Sequence, residues 1–254
     1  MKMLTSNWTI AKIRDYLTGE TIDSAVVEQL HKDERKGVQR LLQQYSKRQE
    51  QVKAQQAHFE EMLGYEKKWR AKGMTYIAGV DEVGRGPLAG PVVAAAVILP
   101  ADFQLLGLDD SKKLSKSKRE SFAAYIKTHA VDYHIAVINA EIIDEINILN
   151  AAKKAMHQAI THLDKVEHAL IDAVKLDHLP VTQEAIIKGD QKSVSIAAAS
   201  VIAKVARDAY MHDLHQQFPA YGFDQNSGYG TRQHIEALQR DGKTPYHRKS
   251  FIHS

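Results

Sequence analysis

The feature of this chain that most constrains its fold is an acidic pair placed between two apolar runs. Tyr76–Val80 leads into the adjacent carboxylates Asp81 and Glu82, then into a loop rich in glycine and proline, and then into Val92–Leu99. This pattern predicts two strands joined by a tight loop, with the acids at the end of the first strand. Carboxylates at the mouth of a buried strand need a counter-charge, a metal ion or a proton. The stretch therefore predicts a functional site.

The loop after the acids suggests what that site binds. Gly84 and Gly86 let backbone N–H groups approach a ligand closely, and Arg85 offers a planar donor group suited to phosphate. Cation-binding and anion-binding groups side by side suit a phosphodiester bound to divalent metals. The segment Gly84–Ala89 also matches the dinucleotide fingerprint G-x-G-x-x-G/A, but that fingerprint opens a helix, and here the loop leads into a second strand.

Composition limits the classes of protein to consider. The chain has 254 residues, 44% of them hydrophobic and none of them cysteine, so disulfides and thiolate metal sites are excluded. It lacks both the ~20-residue apolar run of a membrane span and the apolar core of a signal peptide. We therefore expect a cytosolic protein. Residues 1–73 carry 14 basic and 10 acidic residues, a net charge of +4, while the net charge of the whole chain is +3. This basic excess fits either contact with nucleic acid or a solvated helical face.

Periodicity divides the chain into two regions. Residues 1–73 predict a small all-helical region, and residues 74–254 predict an α/β domain whose mixed sheet is flanked by helices. Five strands are predicted: Tyr76–Val80, Val92–Leu99, Tyr133–Ile138, Ala169–Asp172 and Ala185–Lys188. The predicted helices include one opened by a capping box at Ser117–Glu120, then Asn150–Leu163, a buried helix over Ser195–Phe218, and a short one over Gln233–Arg240.

Two further acids resemble the first pair. Asp172 ends the apolar run that begins at Ala169, and Asp190 follows the run that begins at Ala185. Ligands gather at strand ends in α/β sheets, so four carboxylates could converge there and bind two divalent cations, Mg²⁺ or Mn²⁺, through oxygen. The alternative for each acid alone is that it caps a turn.

Three polar segments are open to two interpretations each. Lysines in Asp110–Lys113 would meet phosphate or only water, and Asn226–Thr231 would present Tyr229 to a nucleotide or form a packed turn. The basic cluster His247–Lys249 suits a nucleic-acid backbone, and its alternative is a solvated tail.

Taken together, the motifs resemble the type 2 ribonuclease H family, the bacterial ribonuclease HII proteins. The resemblance runs from about Tyr76 to Phe251, and longer Gram-positive-type members carry a similar helical N-terminal extension. The matching segments, in the family's order, are Gly79–Val97, Asp110–Ser115, Lys188–Ser193, Ala197–Val205, Gly228–Thr231 and His247–Phe251.

The resemblance implies a ribonuclease H-like fold with a mixed five-stranded sheet. It also implies that Asp81, Glu82, Asp172 and Asp190 are the catalytic, metal-binding carboxylates. It further implies that the ribonucleotide at an RNA-to-DNA junction is recognised by Gly84, Arg85, Gly86 and Tyr229. We add Lys112 and Ser193, from two of the matching segments, as predicted substrate-binding residues. Ala173 follows Asp172 where the family often has glycine, and Asp208 is the reserve candidate for the third carboxylate.

The implied activity is hydrolysis of RNA in RNA/DNA hybrids and cleavage 5′ to a ribonucleotide embedded in duplex DNA. A two-metal mechanism with Mn²⁺ or Mg²⁺ would leave a 3′ hydroxyl and a 5′ phosphate, and the implied role is removal of ribonucleotides from DNA. We expect a monomer. The alternatives are a related two-metal DNA nuclease, a non-catalytic nucleic-acid-binding protein of ribonuclease descent, and the paralogous ribonuclease HIII, which carries a sheet-containing N-terminal domain.

Overall fold

The computed structural model describes residues 7–19 and 21–252 of the chain. In this part of the chain no helix is both long and apolar enough to cross a membrane. The helices are α1 (Ile10–Thr18), α2 (Ser24–His31), α3 (Lys36–Met62), α4 (Gly64–Arg70), α5 (Lys116–His129), α6 (Ala140–Ile146), α7 (Ile148–Thr161), α8 (Val194–Gln217), α9 (Phe223–Asn226) and α10 (Arg232–Asp241). The strands are β1 (Ile77–Val83), β2 (Val92–Ile98), β3 (Asp132–Ile138), β4 (His168–Asp172) and β5 (Thr182–Ile186).

The strands form one mixed sheet in the order β3-β2-β1-β4-β5. The pairs β1/β2 and β2/β3 are antiparallel, whereas β1/β4 and β4/β5 are parallel. The predicted fold class, a mixed five-stranded sheet flanked by helices with a helical N-terminal region, is confirmed.

Helices cover both faces of this sheet. Alternate β2 residues such as Ala94 and Ala96 pack with α7 on one face, while Val93 and Ala95 pack with α8 on the other. This alternation is the period-2 geometry of a strand, and it makes both faces of β2 apolar because both are covered. The start of α8 is nearly all buried, as its apolar sequence predicts.

One glycine allows α8 to approach the sheet closely. A Cβ atom on Gly79 would lie 2.0 Å from the carbonyl carbon of Ser195, far inside contact distance. Gly79 is in β1, two residues before Asp81, and Ser195 is in the first turn of α8. Only a residue without a side chain therefore permits the start of α8 to lie directly against the strand that carries the acidic pair.

The chain divides into two compact units between His58 and Phe59, and the predicted domain boundary between residues 73 and 74 stays a prediction. The N-terminal unit has its own small core around Ile13, Leu17 and Leu30. Phe59 and Met62, at the end of α3, are buried in the second unit with residues of the sheet and α8. The last turn of α3 and all of α4 thus belong structurally with the α/β domain.

Several predicted boundaries move. The acids Asp81 and Glu82 lie within β1, paired with Ala95 and Ala94 of β2, because the ladder continues past them. Helix α5 is capped by Ser115, whose side chain accepts a hydrogen bond from the Lys118 N–H, and not by the predicted box at Ser117. Strand β5 ends at Ile186, so the prediction of a strand over Ala185–Lys188 was wrong.

Candidate active site

Three of the four predicted acids meet at one end of the sheet. Asp81, Glu82 and Asp172 each offer a carboxylate oxygen, and these atoms all lie within 4.8 Å of one another. The strand register explains the meeting, since Val80 of β1 is paired with Ile171 of β4 and the next residue on each parallel strand is an aspartate. Two residues far apart in sequence are thus brought to the same level of the sheet.

The burial of Asp81 gives it unusual electrostatics. Its side chain is only 6% exposed, and one carboxylate oxygen accepts the Glu82 N–H at 2.8 Å. Burial raises the pKa of the Asp81 carboxyl well above its usual range, and the charges of Glu82 and Asp172 raise it further. The nearby Ser200 hydroxyl on α8 acts in the opposite direction. The ionised form of this group therefore needs a compensating cation.

The Glu82 carboxylate also lacks a full set of partners. Its Oε2 atom is buried and has no hydrogen-bond partner among the described residues, while Oε1 lies 3.3 Å from the Arg85 guanidinium. Burial raises the pKa of the Glu82 carboxyl, although Arg85 opposes the rise. A buried carboxylate oxygen without a partner is costly unless something binds it.

Asp190 lies beside this group of three acids, in a turn and not at a strand end. It belongs to the 3₁₀ turn Gly189–Gln191, after Lys188 in the left-handed backbone region. Burial raises the pKa of Asp190 to about 6, with further contributions from Asp110 and Asp172. Asp110, which the sequence left ambiguous, is therefore a fifth acid near the site. Lys112 is exposed, and its charge lowers the pKa of Asp190 and so opposes the rise.

Asp172 is positioned by two turns. Its Oδ1 atom accepts the Gly189 N–H at 2.7 Å, which ties the end of β4 to the turn that carries Asp190. The next residue, Ala173, has a φ of 54°, in the left-handed region that favours glycine. A glycine, which the family pattern often has here, would suit this conformation. Alanine at position 173 thus adds backbone strain, and the Asp172 carboxylate still joins the acidic group.

Ala173→Gly is expected to stabilise the protein by up to about 1 kcal/mol, because relief of the left-handed strain of roughly 1–2 kcal/mol exceeds the entropy lost by glycine on folding. The matched control is Ala209→Gly, an exposed position inside α8, which should cost about 1 kcal/mol. Guanidinium unfolding of both variants measures the difference. A destabilised Ala173→Gly protein would contradict the assignment of strain to this turn.

Two buried arginines hold the Gly84–Gly90 loop. Arg248 donates to the carbonyl oxygens of Gly84, Arg85 and Gly90 at 2.6–3.0 Å. Arg207 of α8 donates to Pro91 and Ala89, and also to Ser227. Burial lowers the pKa of Arg207 to about 10 and that of Arg248 to about 9, so both remain charged at neutral pH. Four of the loop's carbonyl groups, those of Gly84, Arg85, Ala89 and Gly90, therefore point inward to these cations.

Tyr229 lies next to this loop. Its ring is 51% exposed, and a methyl group on Gly86 would lie 3.4 Å from its Cε1 atom. The preceding residue, Gly228, accepts the Leu88 N–H at 2.8 Å, which joins the two segments. The structure therefore brings the predicted ribose-recognition residues together.

A buried histidine pair supports Tyr229 from behind. The Thr244 N–H donates to His247 Nδ1, the Nε2 atoms of His247 and His234 lie 2.9 Å apart, and His234 Nδ1 lies 2.9 Å from the Tyr229 carbonyl oxygen. With both rings neutral, His247 donates to His234, which donates to Tyr229. Burial lowers the pKa of His247 to about 4, in keeping with a neutral ring. The prediction that His247 and Arg248 contact a nucleic-acid backbone or solvent was wrong, since both are buried.

The remaining predicted residues lie elsewhere. Ser193 is fully buried, caps α8 and donates to Glu66 at 2.6 Å, so we expect it to position the site and not to touch a substrate. Asp208 pairs with Lys204 and Arg119 and does not join the described acidic group. Sequence reasoning missed the roles of Arg207, Ser200 and Glu66, each a polar residue within an apolar or helical run.

The donor set fits divalent metal ions. Three clustered carboxylates offer only oxygen, which Mg²⁺ and Mn²⁺ prefer, and Glu82 Oε2 lacks any other partner among the described residues. Bound cations would also remove the mutual repulsion that raises the pKa values of Asp81 and Asp190. The arrangement therefore supports divalent metal binding at the end of β1 and β4.

Known sequences resemble this chain over nearly its whole length. The family model described as ribonuclease HII matches residues 78–254, and the one described as ribonuclease HII N-terminal domain matches residues 9–70. The chain is 56% identical to the ribonuclease HII of Oceanobacillus iheyensis over 244 residues, 96% of this chain and 94% of the relative. It is 55% identical to that of Shouchella clausii over 243 residues, 95% and 93% of the two chains.

Solved structures share the fold of the α/β domain. The ribonuclease HII of Archaeoglobus fulgidus, seen in a complex with PCNA, has a TM-score of 0.61 and 28% identity over 70% of this chain and 96% of its own. The ribonuclease H2 of Pyrococcus horikoshii OT3 has a TM-score of 0.57 and 27% identity over 68% and 92% of the two chains. Bst ribonuclease HIII in complex with Mn²⁺ has a TM-score of 0.58 at 20% identity over 70% of this chain and 68% of its own, a likeness of fold alone.

Proposed function

Because the chain belongs to the ribonuclease HII family and is a ribonuclease H endonuclease, we propose that it cuts 5′ to a ribonucleotide embedded in duplex DNA as well as within RNA/DNA hybrids. The observation that carries the proposal is the acidic group of Asp81, Glu82 and Asp172 beside a glycine loop and an exposed tyrosine. Residues 9–70 match the family model of the ribonuclease HII N-terminal domain, and the described secondary structure there is helical. Both observations favour this family over ribonuclease HIII, whose N-terminal domain is expected to contain a sheet.

The proposed chemistry is hydrolysis that leaves a 3′ hydroxyl and a 5′ phosphate. Asp81, Glu82, Asp172 and Asp190 would hold two divalent cations, Mn²⁺ or Mg²⁺, which when bound supply an activated water and stabilise the leaving oxygen. The chain itself contributes a fixed frame for these ligands, because the register of β1 and β4 sets two of them and the turn after β5 sets Asp190. Lys112, which is exposed and whose charge acts on Asp190, would meet a phosphate.

Recognition of RNA rests on the ribose 2′ hydroxyl, which both donates and accepts hydrogen bonds. Since the N–H groups of Leu88, Ala89 and Gly90 donate to Gly228 and Tyr246, those of Gly84, Arg85 and Gly86 are the ones that would bond a ligand on the open side of the loop. Tyr229, adjacent to Gly86, would stack on the neighbouring sugar or base. Together these groups would distinguish a ribonucleotide from a deoxyribonucleotide.

The deciding experiment compares three duplexes of one sequence: all DNA, DNA with one ribonucleotide, and an RNA/DNA hybrid. The proposal expects cleavage of the second and third with Mg²⁺ or Mn²⁺, and products with a 3′ hydroxyl. Equal cleavage of the all-DNA duplex would favour the alternative of a two-metal DNA nuclease. The prediction of a monomer in the cytosol stays a prediction.

Tyr229→Ala is expected to reduce cleavage of the single-ribonucleotide duplex by about 10-fold to 100-fold, the equivalent of one base–aromatic stacking contact of roughly 1–3 kcal/mol. Tyr229→Phe should retain most activity because the ring remains. Initial rates at low substrate concentration measure both effects. Tyr125→Ala, which removes an exposed tyrosine on α5, is the control, and an equal loss there would contradict a specific role for Tyr229.

A further inference from the structure

Glu66 is a buried carboxylate outside the acidic group at the end of β1 and β4. It lies in α4, within the part of the chain matched by the N-terminal family model, and is 2% exposed. One of its oxygens, Oε1, accepts from Ser193 Oγ at 2.6 Å, from the Ser195 N–H at 3.0 Å and from Ser195 Oγ at 2.6 Å. The other, Oε2, is buried without a partner among the described residues. Every described hydrogen bond of this carboxylate thus goes to the start of α8.

Those contacts fix the first turn of α8. Ser193 is the N-cap, and its hydroxyl also accepts the Ile196 N–H at 3.2 Å, while Glu66 accepts the N–H of Ser195. Glu66 and Ser193 therefore satisfy two of the N–H groups that a helix start leaves without partners. A carboxylate at this end of the helix is also favoured by the helix dipole. Glu66 supplies a cap from a segment 127 residues earlier in the chain.

The start of α8 is joined directly to the metal-binding residues. Asp190 lies in the turn just before Ser193, and the Gly189 carbonyl oxygen accepts the Ser193 N–H at 2.9 Å. Gly189 in turn donates to Asp172. Further along α8, Ser200 faces Asp81. Displacement of the first turn of α8 would therefore move groups on two sides of the acidic cluster.

The rest of α4 contacts the strands of the same half of the site. Trp69 stacks on His168, the first residue of β4, with ring centroids 3.7 Å apart, and its Nε1 donates to Glu184 of β5 at 2.7 Å. Lys68 pairs with the same glutamate at 2.8 Å. Helix α4 thus contacts β4, β5 and α8, the elements that lead to Asp172 and Asp190.

We propose that Glu66 is a positioning residue of the metal site: through Ser193 and Ser195 it sets the turn that carries Asp190, and so tunes metal affinity from the N-terminal part of the chain. The proposal rests on the proposed function only in taking Asp190 and its neighbours as metal ligands. Residues that orient ligands in this indirect way typically change metal affinity by about 10-fold to 100-fold when removed.

The test is calorimetric titration of metal-free, full-length protein with Mn²⁺ in the absence of nucleic acid. Glu66→Ala is expected to weaken Mn²⁺ binding about 10-fold or more. Glu66→Gln, which keeps the accepting Oε1, should restore affinity to within about threefold of the unsubstituted protein, the rescue expected of a hydrogen-bonded positioning group. Should Glu66→Ala fail to fold, Ser195→Ala removes one donor to Oε1 and is expected to weaken binding in the same direction by less.

The control separates positioning from general stability. Ile160→Val creates a small cavity in α7, on the opposite face of the sheet from α8, and lowers stability without touching Glu66. Its Mn²⁺ affinity should be unchanged. Unchanged affinity in Glu66→Ala with a lowered unfolding temperature, or equal weakening in Ile160→Val, would overturn the proposal. Because the readout needs no cleavage, it is independent of the outcome with ribonucleotide duplexes.

Discussion

Asp81→Asn is expected to lower the rate of cleavage of a single-ribonucleotide duplex by about 10³-fold or more, equivalent to about 4 kcal/mol of transition-state stabilisation. The substitution keeps the shape of the side chain and an oxygen for the Glu82 N–H, but removes the charge that a metal ion needs. Duplex binding should change little, because the loop and Tyr229 remain. Single-turnover cleavage with saturating Mg²⁺ or Mn²⁺ measures the first effect, and fluorescence anisotropy of labelled duplex measures the second.

Asp208→Asn provides the matched control for this loss. Asp208 lies on α8 with its carboxylate paired to Lys204 and Arg119, outside the described acidic group. Its substitution should leave the rate within about threefold, since this carboxylate offers no ligand to the described acidic group. If Asp208→Asn lost as much activity as Asp81→Asn, Asp208 would be a better assignment than Asp172 for the third catalytic carboxylate. Full activity of Asp81→Asn would contradict the proposed metal chemistry itself.

The acidic pair and the strands around it were predictable because strands and buried acids leave strong local signals. Two apolar runs flanking Asp81 and Glu82 predict neighbouring strands, and the register of β1 with β4 then brings Asp172 to them. Periodicity does not give that register. The meeting of Asp81 with Asp172 was inferred from a general tendency of strand ends, and its geometry comes only from the folded sheet.

The residues that sequence reasoning placed wrongly or missed are those whose partners are distant. His247 and Arg248 look like a solvated basic cluster, yet Arg248 is buried because the carbonyl groups of a loop more than 150 residues earlier bind it. In the sequence, Glu66 looks like one of several charged residues on a polar helix. Its burial depends on Ser193 and Ser195, and no local pattern reports such pairing. Charged residues near an apolar segment therefore need their three-dimensional partners before their role can be assigned.

A site assembled from buried acids should destabilise the metal-free protein, and Asp190 offers a quantitative test. Asp190→Asn is expected to stabilise metal-free protein at pH 8 by up to about 3 kcal/mol, because burial and neighbouring acids raise the pKa of Asp190 from 3.8 to about 6 and each pKa unit corresponds to about 1.4 kcal/mol. Chemical unfolding in the presence of a chelator measures the gain. Added Mn²⁺ should reverse the order, since only the unsubstituted protein keeps the full ligand set.

The pH dependence gives this prediction its sign. Between pH 3.8 and about 6 the native protein binds more protons at Asp190 than the unfolded chain does, so stability falls as pH rises through this window and is flat above it. The advantage of Asp190→Asn should therefore be about 1.4 kcal/mol smaller at pH 5 than at pH 8. Asp177→Asn, at a carboxylate 75% exposed, should change stability by less than about 0.5 kcal/mol at both pH values. A less stable Asp190→Asn protein at pH 8 would mean that this acid stabilises the metal-free fold. Any destabilisation that metal binding relieves would then have to come from Asp81 and Glu82.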